Sequence, residues 1–191
     1  MSKDLQAMIE SANSNNIFMQ CDAPNPGAFR PLPAGFSFRL CRRDELDLWK
    51  RMWAQGQYME FVNDCYAKVY APHADEFFRR CTFAVDGGDS PVATGYIWRS
   101  YGRISTLGWY HVLPAYEGRG IGRALLGKLL QSAAFPVYVH THPTATRAIK
   151  LYSDFGFKAI TDPVIGYRKN DWAESLAYLK EALPEADFAS L

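Results

Sequence analysis

Val112-Leu113-Pro114-Ala115-Tyr116-Glu117-Gly118-Arg119-Gly120-Ile121-Gly122-Arg123-Ala124 leaves one predicted strand and opens a predicted helix. The strand runs from Ile104 to Leu113. The helix runs from Gly120 to Gln131, with Ile121, Ala124, Leu125 and Leu129 on one face. Gly118, Gly120 and Gly122, at alternate positions, let the backbone turn tightly and come close to a ligand. The first N–H groups of a helix lack internal partners and sit at the positive end of its dipole, so such a terminus receives anions, phosphate above all. Arg119 and Arg123 add positive charge. Two familiar phosphate loops do not fit. The dinucleotide pattern G-x-G-x-x-G would need glycine at Arg123 or Leu125, and no Gly-Lys-Ser/Thr run is present. On the loop alone, a tight strand-to-helix connection with no ligand is the plain alternative.

Outward from the loop, the chain divides into three regions. Residues 1–34 read as a short polar helix over 2–13 and an extended connector rich in proline and glycine. Residues 35–169 read as the compact domain. Gly35 to Leu40 alternates as a half-buried strand, and Asp44 caps a helix carrying Leu46, Trp49, Met52 and Trp53. Helical character continues over 57–80 with a break at Pro72. Thr82 to Val85 and Val92 to Trp98 are strands around the Asp86–Ser90 turn, and a second turn lies near Gly102. Val137 to Thr141 is a strand and Thr144 to Phe155 a helix closed by Gly156 as a left-handed cap. Residues 157–169 read as a last hairpin turning near Asp162-Pro163. Residues 170–191 are a C-terminal helical extension opened by Asp171. It either covers the core or meets a second copy of the chain in a homodimer. This order predicts a mixed α/β fold with helices on both faces of one sheet.

The run Val112-x-Pro114-x-Tyr116 followed by Gly118-Arg-Gly-Ile-Gly-Arg-Ala-Leu-Leu126 resembles the acyl-CoA-binding motif of the GNAT N-acetyltransferase superfamily. Ala148-Ile149-Lys150-Leu151-Tyr152-Ser153-Asp154-Phe155-Gly156-Phe157 is similar to its second signature, Ala-x-x-Leu-Tyr-x-x-x-Gly-Phe. The resemblance implies a central, twisted, mostly antiparallel sheet. It also implies acetyl-CoA as co-substrate, held by His111, Val112, Leu113, Gly118, Arg119, Gly120, Ile121, Gly122 and Arg123. Two positions depart from the pattern. Glu117 stands where the family usually has Gln or Arg, and Ala145 where an Asn often reaches the pantetheine arm.

The implied reaction is direct attack of an amine on the thioester carbonyl. A backbone N–H near Val112 would bind the developing oxyanion. By its place in the second signature, Tyr152 is the expected general acid, against the alternative of a core aromatic. A lysine-like amine of pKa about 10.4 is roughly 0.04% neutral at pH 7, a deficit of about 4.6 kcal/mol, so a base is wanted. Thr106 and Gly108 occupy the strand positions where relatives often carry an acid or histidine; the resemblance then points to His140, at a position where a glutamate base occurs in some relatives, as the expected base, with His111 as the runner-up. Aromatics in the helices after the first strand, Trp53, Tyr58, Phe61, Tyr66, Tyr70, Phe77 and Phe78, would suit a small amine with an apolar body, where they are not simply core.

Composition narrows the classes. The chain of 191 residues is 48% hydrophobic and 21% charged, which excludes a disordered or low-complexity protein. Twenty-one Lys and Arg against 20 Asp and Glu leave no basic footprint for nucleic acid. Cys21, Cys41, Cys65 and Cys81 contain no C-x-x-C pair, so no metal site is expected and the thiols read as free, in a cytoplasmic protein. No run of 18 apolar residues exists to span a membrane. A non-catalytic acyl-CoA sensor on the same fold is the second reading, and an unrelated nucleotide-phosphate binder the third.

Overall fold

The computed structural model describes residues 12, 14–54, 58–101 and 104–191. Apart from Ala12, the expected helix over 2–13 lies outside the described residues, as does the expected turn near Gly102. The strands are β1 (Ile17–Cys21), β2 (Ser37–Leu40), β3 (Thr82–Val85), β4 (Pro91–Ser100), β5 (Ile104–Val112), β6 (Val137–Thr141), β7 (Lys158–Ala159), β8 (Val164–Ile165) and β9 (Arg168–Lys169). The α-helices are α1 (Leu46–Ala54), α2 (Met59–Cys65), α3 (Ala74–Arg80), α4 (Ile121–Gln131), α5 (Thr146–Asp154), α6 (Trp172–Ala182) and α7 (Glu185–Ala189). Seven strands form a mixed, mostly antiparallel sheet in the order β2-β3-β4-β5-β6-β1-β7, and β8 pairs with β9 apart from it. The β5–β6 pair is parallel. The chain divides into two compact units. One comprises 1–29, 98–107 and 133–191, the other 30–97 and 108–132.

The first unit draws on both ends of the described chain. The stretch read as lying outside the domain, residues 1–34, supplies β1, which sits between β6 and β7 and pairs antiparallel with both. Ile17, Phe18, Met19 and Cys21 are all buried. A strand covered on both faces has no polar alternation, so Ile-Phe-Met-Gln-Cys carries no period-two signal. Residues 170–191 are not an appendage either. Asn170 accepts from the Phe18 N–H through Oδ1 (3.2 Å) and donates through Nδ2 to the Ile160 and Asp162 carbonyls (2.8 Å each). The Asp171 carboxylate accepts from the Asn16 N–H at 2.8 Å, and the Asp171 N–H donates to the Asn16 carbonyl at 2.7 Å. These bonds fix the N-terminal strand by satisfying backbone groups that are buried or partly buried. Phe18 then packs with Ile160 and Ile165 against Tyr101, Ile104 and Tyr138. The last hairpin also differs. β7 pairs with β1, and the hairpin is β8–β9, turning at Gly166-Tyr167.

The second unit is built on aromatics. Trp49 is fully buried, with ring centroids 5.1 Å from Phe77 and 5.2 Å from Trp109. Tyr70, Phe77 and Tyr96 join the same core. At the start of α1, Asp44 is not the cap. The Glu45 carboxylate reaches back to the Arg42 N–H at 2.9 Å and pairs with Arg39 at 2.7 Å. That arginine holds the Glu45 carboxyl below the usual range.

Truncating Phe18→Ala should cost about 3–5 kcal/mol in chemical denaturation, as for other fully buried phenylalanines. A loss under about 1 kcal/mol would show that β1 is not part of the folded core.

Candidate functional site

In the second unit, β5 ends in a short 3-10 turn at Pro114–Tyr116, and the chain enters α4 through two left-handed glycines, Gly118 (φ +74°) and Gly120 (φ +83°). Nothing lies within 4 Å of a Cβ built at Gly118, so backbone conformation rather than space demands glycine there. Gly122 is a different case. A Cβ there would stand 2.7 Å from the Tyr110 hydroxyl oxygen and 3.3 Å from Val112. The first intrahelical bond in α4 is Ala124 N–H to the Gly120 carbonyl, at 3.0 Å. No side chain caps this first turn, which Gly120 opens as N-cap. A glycine-lined helix start of this kind is the geometry that receives anions in general. Arg119 is folded back on the loop. It donates to the Ala115 carbonyl at 3.0 Å and lies over the Tyr116 ring. Glu117 is exposed, and its charge acts on His111.

One feature of β5 had no sequence signal. Its pairing with β6 runs from Ser105↔Val137 to Leu107↔Val139, and two residues further on Trp109 takes a left-handed φ of +49°. For a bulky residue this costs roughly 1–2 kcal/mol. The surroundings hold it there. The Trp109 carbonyl accepts from Trp53 Nε1 at 3.0 Å, and Trp109 Nε1 donates to the Tyr70 hydroxyl at 2.7 Å. Its ring meets Trp49, Trp53 and Phe61. His111, next but one along the strand, lies 5.3 Å from the Trp53 ring. Burial lowers its pKa, and Glu117 opposes that in part. Of the aromatics singled out in the sequence, Tyr70 and Phe77 are core, whereas Tyr58 and Phe61 are exposed, each at 62%.

In the first unit, α5 ends in a Schellman cap. The Phe157 N–H bonds the Tyr152 carbonyl at 3.0 Å, the Gly156 N–H bonds the Ser153 carbonyl at 2.9 Å, and Gly156 has φ +91°. The ring contact that completes such a cap is Tyr152 with Phe157, at 5.7 Å. The Tyr-x-x-x-Gly-Phe spacing is therefore the spacing of a helix terminus. Tyr152 is buried, which raises its pKa. Ala145 stands at the N-cap of α5 and offers no side-chain bond.

His140 is committed to a network. Arg168 donates to Asn16 Oδ1 at 2.9 Å, which marks that atom as an acceptor. The same oxygen lies 2.7 Å from His140 Nε2, so Nε2 carries the proton. Nδ1 then accepts from the Tyr101 hydroxyl at 3.2 Å. Burial, and after it the charges of Arg168 and His142, push the pKa of His140 down to about 3. Both lone-pair and proton positions are thus used, and the ring stacks on Phe18 at 5.1 Å. The sequence expectation of a base at His140 meets a neutral imidazole that holds Tyr101 and Asn16.

The Acetyltransferase (GNAT) family model matches residues 46–157. Similar solved structures include a GCN5-related N-acetyltransferase from Sphaerobacter thermophilus, at 17% identity and TM-score 0.54, covering 82% of this chain and 53% of that one. A GNAT-family acetyltransferase from Colwellia psychrerythraea gives 15% and 0.56, over 76% and 52%. A tandem GNAT protein from the clavulanic acid biosynthesis pathway gives 14% and 0.57, over 75% and 50%. The chain thus spans about half the length of each, and at these identities the likeness is one of fold. No curated protein matches the chain. Among the described residues no helix is long and apolar enough to cross a membrane.

The state of His140 has a pH signature. Its folded pKa of about 3 lies below the unfolded 6.5, so between these values the unfolded chain binds a proton that the folded chain refuses. Stability is therefore present above pH 6.5 and lost as pH falls through that window. Between pH 7.5 and 5 the wild type should lose about 2 kcal/mol that His140→Gln does not lose, read from urea midpoints. Equal losses in the two proteins would mean that His140 is not held neutral.

Proposed function

Because the chain belongs to the GNAT acetyltransferase family, we propose that it transfers an acetyl group from acetyl-CoA to the primary amine of a small molecule, by direct attack and without an acyl-enzyme. The observation that carries this reading is the cradle at the start of α4. There two left-handed glycines, and a third whose Cβ would crowd Tyr110 and Val112, carry the chain into the first turn of α4, the kind of helix start that receives a pyrophosphate. Gly118 to Arg123 would hold the phosphates, and His111, Val112 and Leu113 the pantetheine end, with the Val112 N–H as oxyanion donor. Acetyl-CoA supplies the activated acyl group.

Three changes at the reacting atoms remain to be assisted by the chain's own residues. The amine forms the new C–N bond, the C–S bond breaks, and one proton passes from nitrogen toward sulfur. Burial keeps Tyr152 protonated, as a donor must be. Its raised pKa makes complete transfer to a thiolate of pKa about 8.5 uphill, so its contribution is a hydrogen bond to the departing sulfur. We assign the base to His111 rather than His140. His111 immediately precedes Val112 on β5, whereas His140 spends its ring nitrogens on Tyr101 and Asn16. Glu117 then has a task in spite of departing from the family pattern. Its charge stabilises the protonated His111.

The second reading, a non-catalytic acyl-CoA sensor, draws on Ala145, which cannot reach a pantetheine amide as asparagine would. Calorimetric titration with acetyl-CoA, and with ATP and NAD as controls, should give binding near micromolar for acetyl-CoA alone. Absence of such binding overturns the cradle assignment. Tyr152→Phe should lower thiol release about 10²-fold with acetyl-CoA affinity unchanged. Unaltered turnover would remove Tyr152 from the mechanism, and binding without turnover on any amine would favour the sensor.

A further inference from the structure

Resting on that reading, we infer that the acceptor is an amine with a planar aromatic body, bound on a platform formed by Phe61, Trp109 and Trp53 beside His111. All four residues belong to the second unit, and Trp109 and His111 lie on β5 just before Val112. Phe61 is 62% exposed, yet its ring lies within 25° of parallel to Trp109 at 6.3 Å. The chain thus keeps a large apolar ring in water, aligned with a second ring that is itself fixed.

The polar atoms of the platform decide what it selects. Trp53 Nε1 is spent on the Trp109 carbonyl, and Trp109 Nε1 on the Tyr70 hydroxyl. Neither indole has its N–H to give to a ligand, so both present π faces alone. Such faces favour a flat ring by stacking and a cationic amine by its charge. They offer nothing to the hydroxyls of a sugar, whose desolvation would go unrepaid. His111 is the polar group beside them, tilted 46° against Trp53, and it suits the proton that an ammonium must lose.

The test is a tryptophan-fluorescence titration of the CoA-loaded full chain with 2-phenylethylamine, glucosamine and spermidine. Phenylethylamine should bind at least about tenfold more tightly than the other two. Phe61→Ala should weaken it about tenfold and Phe61→Leu by less, with acetyl-CoA affinity unchanged in both. Because Phe61 is exposed, neither substitution opens the core. Equal binding of the three amines, or unaltered binding in Phe61→Ala, overturns the platform. If acetyl-CoA binds while the amines are not distinguished, the platform alone fails. If acetyl-CoA does not bind while phenylethylamine does, the acetyltransfer reading fails and the platform stands.

Discussion

The left-handed backbone at Trp109 is the constraint on which the second unit turns. A strand does not adopt φ +49° at tryptophan unless something over-determines it. Here the carbonyl is fixed by Trp53, the indole N–H by Tyr70, and the ring by Trp49. Those three residues come from α1 and the turn after α2, so the helices that follow β2 set the course of β5. The strand then delivers His111, Val112 and Leu113 and the loop into α4. The aromatic core therefore sets a strand direction as well as burying area.

The first unit works by a different device. Polar side chains hold a strand that has no covalent neighbour in the sheet. Asn170 and Asp171 satisfy the backbone around Asn16 and Phe18, and Asn16 in turn joins His140 and Arg168. Every partner in that set is a donor matched to an acceptor, which is the condition under which buried polar groups specify one arrangement. His140, between a tyrosine hydroxyl and an amide oxygen, is part of that fastening.

Much of this was legible in the sequence. Thr82–Val85 and Val137–Thr141 are strands with the bounds expected, and α4 and α5 fall within two residues of theirs. Their signals were local: apolar periodicity, glycine at a helix start, glycine at a helix end. The left-handed cap at Gly156 was legible for the same reason. β1 itself was not, because Ile-Phe-Met-Gln-Cys has no period-two alternation and nothing local says which strands flank it. The commitment of His140 was hidden too. It depends on Asn16, Tyr101 and Arg168, which are distant in sequence and meet only in the fold. Nor does any residue pattern mark tryptophan for positive φ. The tight glycine turn into α4 was readable, but the internal use of both indole N–H groups was not.

The place of β1 also bears on the order in which the chain becomes a protein. Its partners are made long after it: Asn16 meets His140 across 124 positions and Asp171 across 155. During synthesis β1 therefore waits, with Ile17, Phe18 and Met19 uncovered, until partners made 124 to 155 positions later have emerged. Contacts of such separation require large loops to close before they return any energy, which slows folding. A nascent apolar segment held open in this way is what chaperones recognise and what neighbouring nascent chains can capture. The second unit, whose residues run from 30 to 132 with one excursion, carries no such delay.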